Sequence, residues 1–528
     1  MDFINTIETK IKNKFHELTI YQRYAFITAF IIGIVAHGYV IFNRLSYHDN
    51  SACLFSLGGT YESGRWMLGI IYDLQMLSTK LYSVPVFNAL LSILFIAIAA
   101  MLMIDIFDIK SKLLAVYMSA MMVAYPVVTG IFSYMFTSWE YLLGMLVSVL
   151  AARTLVKNIS IKTFIVSAIL LSVSLGFYQA FFAVTIVIYL IMLTLKVIDG
   201  NIQSVKDYAK TGVIYLLNLV AGLGFWAIIR KFSFFVKGID AVDYKGMSDG
   251  YSLSMLPAKL LQAYQEFFGF RQEKINTLLY LRVFTAVIVI ITIIQLLVLI
   301  IRAKTNVATK IASLVGVALL PIGMNVVYIL STSDEYLIDT LMMYGNIFVF
   351  LLPVVMIQII DGIEFKESSL KKLCACVTSI QAIGLLVMLV GYIYLDNAAY
   401  MKADIVQQQA IAWYTELAAN IKGCDGFSDD MEIVLVGIDN ITDGTITKID
   451  DGGQLDIIQV AKYPDYLTIL SNGGSINFAK EHIGFGNDLV IVDDGTVAAK
   501  EEVQSMPTYP NDGSIQIIDG QVVVKLGE

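Results

Sequence analysis

The stretch "FNRLSYHDNSACLF" sets a histidine, a carboxylate and an amide, His48, Asp49 and Asn50, side by side directly after an apolar run long enough to cross a bilayer. A carboxylate in that position can take a proton from a hydroxyl as a general base, with polar neighbours to orient it or contact an acceptor. The loop continues as "SLGGTYESGRW", adding a second carboxylate (Glu62), a cation (Arg65) and an indole (Trp66) beside glycines that permit tight turns. Further polar residues end other apolar runs: Glu140 in "SWEY", Tyr178 and Gln179 in "GFYQ", and the pair Arg230-Lys231. A cation in such a set suits a phosphate or another developing negative charge. Each residue alone has a plainer reading: a carboxylate leaving a span as a solvated cap, Arg230 and Lys231 as headgroup anchors, aromatic residues as an interface belt. Their recurrence at the same ends of the spans is what points to a site.

Those positions have meaning only through the elements that carry them. The chain of 528 residues is 57% hydrophobic and 15% charged, with a mean hydropathy of +0.72, a membrane-protein composition. Apolar runs at 20–43, 85–107, 113–132, 139–156, 163–177, 180–198, 213–233, 279–301, 311–330, 341–360 and 373–395 predict a polytopic α-helical membrane protein of about eleven transmembrane helices. The segment 163–198 is too long for one ordinary span and reads as two short helices broken near Gly176-Phe177-Tyr178-Gln179. Short loops alternate in charge. Those holding Lys110 and Lys112, Arg153 and Lys157, Arg302 and Lys304, or Lys371 and Lys372 are basic, whereas 133–138 and 331–340 carry no Lys or Arg. The bias puts the N-terminus inside, and His48, Asp49 and Asn50 outside.

Three regions follow: an interfacial helix at 1–19, a multi-span body at 20–395 with long outer loops at 44–84 and 234–278, and an acidic tail at 396–528. The tail holds 22 Asp and Glu against 7 Lys, near −15 in charge, outside the membrane by the same bias. Within it, one helical segment precedes strand-like "MEIVLVGI", "LDIIQV", "LVIVDDG" and "SIQIIDGQVVVKLG", which predict a small α/β or α+β domain. In the first outer loop, Trp66, Leu68, Ile70, Ile71, Leu74, Leu77 and Leu81 are expected on one side of an interfacial helix.

Soluble-enzyme signatures are missing: no phosphate-binding loop, no dinucleotide glycine fingerprint, and four histidines too scattered for a zinc cluster. Gly246-Met247-Ser248-Asp249-Gly250 matches a nucleophile-elbow pattern but lies in a polar loop, where it reads as a turn. The four cysteines have no metal spacing, and the acidity of the tail gives a nucleic-acid partner no support.

The motifs "YHDN", "GGTYESGRW", "FSYMFTSWEYLLGMLVSVLAA" and "SVSLGFYQAFFAV", in this order, resemble the GtrII family of bacterial and phage membrane glucosyltransferases. The resemblance implies a GT-C-like enzyme of the bacterial cell membrane. Such an enzyme moves a hexose, typically glucose, from a polyprenyl-phosphate donor to a cell-surface glycan of the O-antigen kind. It also implies an acidic catalytic residue in the first outer loop, which maps onto Asp49. His48, Asn50, Glu62, Arg65, Trp66, Glu140, Tyr178, Gln179, Arg230 and Lys231 are then candidates for substrate binding by position. A phosphate leaving group needs little protonation, so one base and one cation suffice for an inverting transfer. The residues leave a divalent cation, Mg2+ or Mn2+, open. The rival reading is a transporter or lipid flippase, against which stand the lack of a second copy of the broken span and the length of the first outer loop.

Overall fold

The computed structural model describes residues 5, 17–46, 49–53, 56–78, 83–240, 253–268, 278–330, 338–363, 368–438, 455, 475–485 and 490–527. Tyr47, His48, Leu81, most of the N-terminal helix, the Gly246–Gly250 turn and all of "LDIIQV" but Leu455 lie outside them.

The first spanning helix, α1 (Ile20–Phe42), starts at a Thr19 capping box and is followed by the single turn α2 (Asp49–Ala52) and by α3 (Trp66–Met76). Next come α4 (Pro85–Ile106), α5 (Lys112–Ala124), α6 (Pro126–Phe132), α7 (Ser138–Lys157), α8 (Ile161–Phe177), α9 (Phe182–Ile198) and α10 (Val205–Lys237). The body closes with α11 (Leu256–Phe268), α12 (Leu279–Arg302), α13 (Val307–Ala318), α14 (Leu320–Met324), α15 (Val326–Leu330), α16 (Phe348–Asp361) and α17 (Ser368–Lys422). Ten helical segments among the described residues are long and apolar enough to cross a membrane, while α8, with 17 residues, is a shorter apolar helix. The break after α8 falls at Tyr178, as expected from the sequence, and Pro126 and Pro321 open new helices within two other crossings.

Close packing comes from small residues, since apolar side chains gain little by leaving lipid for one another. On α1, Ala25, Ala29 and Gly33 recur every four residues and are buried; a Cβ on Gly33 would lie 2.9 Å from Ile93 of α4, and the Ala25 carbonyl accepts from Ser119 of α5. The outlying α10 buries only Tyr215, Asn218 and Gly222. Its 33 residues span roughly 50 Å, more than the ~30 Å hydrocarbon core, so part of it projects beyond the apolar layer.

Two expectations change shape. The apolar residues of α3 do not share a face: Trp66 and Leu68 are buried whereas Ile70, Leu74 and Leu77 are exposed. At 100° per residue Leu68 stands about 120° or more from Ile70, Leu74 and Leu77, whereas Trp66 lies on their side and is buried at the start of the helix by its packing on Gly176 of α8. The last span and the first helix of the tail are one continuous 55-residue helix, α17, which runs unbroken through residues 395 and 396 for about 80 Å.

Beyond it, β1 (Ile433–Val436), β2 (Val490–Val492), β3 (Ile515–Ile518) and β4 (Gln521–Lys525) form a mixed sheet in the order β2-β1-β4-β3. Strand β1 is parallel to both β2 and β4, whereas β3 and β4 form a hairpin turned at Asp519-Gly520, both at positive φ. Side chains alternate across it. Ile433, Leu435, Val522 and Val524 meet Trp413, Tyr414, Leu417 and Ile421 of α17 and Phe478 of α18 (Ser475–Ile483). The other face carries Val434, Val436 and Val523, against Val503 of α19 (Glu501–Ser505) and Met506.

Candidate functional site

Chain direction brings the ends of α1, α6, α8, α10 and the starts of α4, α7, α9 and α12 to one end of the bundle, and every predicted site residue among the described residues belongs to that end. Two polar groupings form there.

The first is built on the "GGTYESGRW" loop. Gly64, at φ 75°, adopts the left-handed conformation that glycine enters without strain. A Cβ on it would lie 3.1 Å from Trp226, 3.2 Å from Gln179 Nε2 and 3.3 Å from Arg230 Cδ, so the turn is pressed between α10 and the short turn that links α8 to α9. Gln179 Nε2 donates to the Ser63 carbonyl (3.1 Å) and Trp226 Nε1 to the Gly64 carbonyl (3.0 Å). The guanidinium of Arg65 is buried, 5.2 Å from the centroid of Tyr178 and 5.7 Å from that of Tyr141, two rings stacked at 4.4 Å. Trp66 packs on α8 where a Cβ on Gly176 would lie 2.6 Å from its ring. Glu62 accepts from the Thr60 backbone N–H at 2.9 Å. Arg230 lies over Trp226 (5.5 Å) and Phe234 (5.1 Å).

Glu140 is fully buried in the first turn of α7. Gln75 of α3 donates to one of its oxygens at 3.5 Å, and the other has no hydrogen-bond partner among the described residues. Buried Arg230 Nε has none there either. Orphaned polar atoms of this kind are costly unless they serve a ligand. Lys231, one residue on, is exposed, and among the described residues no contact joins it to the grouping.

Sequence reasoning missed Asp73, the lone carboxylate in α3, as well as Tyr61 and Lys237. Tyr61 OH and Lys237 Nζ donate to Asp73 Oδ2 at 2.6 and 2.7 Å, tying α3 to the last turn of α10. Burial alone would raise the Asp73 carboxyl, but the two hydrogen bonds and the lysine's charge hold it below the usual carboxylate range. An isolated acid in an apolar helix was the available signal.

The second grouping surrounds Asp49, the half-buried first residue of α2. Buried Asn50 donates through its amide to the carbonyls of Leu45 (3.3 Å) and Ser133 (2.9 Å). The turn thereby meets the 133–137 segment that leads to Glu140. Residues 44–46 also touch the far end of the chain: Gln407 of α17 and Glu481 and His482 of α18 contact Arg44 and Ser46. Burial, then the charge of Arg44, push His482 down to about 4. Among the described residues no three His, Cys, Asp or Glu side chains come together as a metal cage. A Mg2+ bridging one carboxylate and a substrate phosphate needs none.

A many-helix body of membrane-spanning length, with carboxylates, cations and aromatic rings gathered at one end, defines a polytopic membrane protein. Residues 38–350, more than half of the chain, match the glucosyl transferase GtrII family, and the chain belongs to that family. It is therefore a membrane glucosyltransferase, as the resemblance implied. No individually curated protein matches the chain.

Proposed function

We propose that this glucosyltransferase takes glucose from a polyprenyl-phosphate donor and passes it to a hydroxyl of a cell-surface glycan on the outer side of the cytoplasmic membrane. The observation that carries the reading is the convergence of Arg65 and Arg230 on the Gly64 turn, at the same bundle end as Asp49. Two cations held by aromatic faces suit a phosphate as it leaves. An apolar cavity of about 350 Å3 supports a lipid donor: it lies between α11, α12, α13, α14 and α16, lined by residues such as Phe267, Val289, Leu296, Val317, Met324 and Phe348. The opposite bundle end carries Lys110, Lys112, Arg153, Lys157, Lys310 and Arg302, which supports an outward-facing site.

In this mechanism Asp49 accepts the proton of the acceptor hydroxyl as its oxygen attacks the anomeric carbon. The bond from that carbon to the phosphate oxygen breaks, and Arg65 and Arg230 take up the charge that develops there. A single displacement inverts the anomeric centre. Mass spectrometry of surface glycans from cells with and without the gene tests the transfer, with one added hexose per repeat as the expected result. Asp49→Asn should abolish the addition at an unchanged protein level, and full activity in that variant removes Asp49 as the base.

A further inference from the structure

Residues 44–46, which lie between α1 and the Asp49 turn, have no regular secondary structure, so their backbone polar groups must find partners elsewhere. They are pinned by side-chain amides from two sides. Gln407 of α17 accepts from the Ser46 backbone N–H through Oε1 (2.5 Å) and donates to the Arg44 carbonyl through Nε2 (3.0 Å). Asn50 holds the Leu45 carbonyl from the other side at 3.3 Å. The side chains are caught as well. Ser46 Oγ is hydrogen-bonded to His482 Nε2 at 2.8 Å and Arg44 pairs with Glu481; His482 and Glu481 belong to α18, which packs directly on α2.

Behind this grip α17 is laced to the end of α1. Asn397 donates to the Val35 carbonyl (3.1 Å), Tyr400 meets His37 Nδ1 (2.9 Å) and Asp404 accepts from Tyr39 OH (2.8 Å). With Gln407 these form a row spaced three or four residues apart, one face of a helix. Gln407, Glu481 and His482 all lie beyond residue 350, where the family match ends.

We propose that the far half of α17 together with α18 is positioning machinery for glucosyl transfer, which orients Asp49 by holding residues 44–46 through Gln407, Glu481 and His482. The proposal rests on the reading of Asp49 as the base. It gives the acidic tail a part in the reaction: the turn is held by the tail as well as by the Asn50 contacts within the segment that matches the family.

The test uses the full chain in membranes, with the charge reversals Arg44→Glu and Glu481→Arg, singly and together. It measures hexose transfer from a polyprenyl-phosphate-glucose donor and backbone amide exchange over residues 44–53. Each single reversal is expected to lower kcat about tenfold or more with KM for the donor within about twofold, because the defect lies in orientation and not in binding. Amide exchange in 44–53 should rise in step, and the double reversal should restore both. His482→Gln, which keeps a nitrogen near the place of Nε2, should retain most of kcat where His482→Ala does not. Single reversals that match the wild type in transfer and exchange overturn the proposal alone, as does a double reversal no better than the worse single. A wild-type chain that transfers no hexose overturns it together with the reading beneath it.

Discussion

Removal of the Arg65 guanidinium should separate the cost of its platform from the cost of its charge. The group lies 5.2 and 5.7 Å from the centroids of Tyr178 and Tyr141, and its Nη1 is 3.4 Å from the Gly59 carbonyl. Two desolvated cation–aromatic contacts amount to about 1–3 kcal/mol of loop ordering. If the same group stabilises the departing phosphate, its loss adds about 3–4 kcal/mol to the barrier, a hundredfold to thousandfold fall in kcat. Arg65→Ala should therefore lose both, at a protein level close to the wild type. Arg65→Lys keeps the charge but has no plane to lie on the tyrosines, and should fall between the two at about tenfold. Tyr178→Leu, with the guanidinium intact but half its platform gone, should resemble the lysine variant. The assay is initial-rate transfer of labelled glucose from the lipid-linked donor in isolated membranes. Arg65→Ala with kcat/KM within about threefold of the wild type refutes the phosphate role.

In α8, Gly176→Ala would put a Cβ 2.6 Å from Trp66 and 3.0 Å from Met67, so a loss of about 1–3 kcal/mol is expected, seen as a lower unfolding temperature in detergent. The matched control is Gly224→Ala in α10, where nothing lies within 4 Å and the temperature should hold or rise. His482, pushed down to about 4 by burial and then by the charge of Arg44, stays neutral in the folded chain while its free counterpart protonates near 6.5. Its contribution to the contact with Ser46, beside Arg44 and Glu481, is complete above about pH 6.5 and is lost as pH falls toward 4, since the released form binds the extra proton. Amide exchange over residues 475–485 should rise through that window, and His482→Gln should remove the dependence.

The sequence alone determined the spans and the ends to which their polar residues belong. Lipid demands long apolar helices whose backbone bonds close within each segment, and that demand is written locally in hydropathy. The break at Tyr178-Gln179 was legible for the same reason, because 163–198 holds more apolar residues than one crossing needs. Strand β1 and the β3–β4 hairpin were visible as short apolar runs beside Gly and Asp.

Partnerships across sequence distance were decided only by tertiary structure. Arg65 could be paired with any acid nearby, and nothing local reveals that its guanidinium lies on Tyr141 and Tyr178. The sequence grouped Lys231 with Arg230, but a helix turns 100° between them, so only Arg230 reaches the Gly64 turn. The contacts of Asp73 with Lys237 and of Ser46 with Gln407 and His482 join residues more than 160 positions apart. Hydropathy records how much of a helix is apolar. Which face meets which neighbour depends on rotation and close packing, and these are fixed only when the whole bundle and the tail come together.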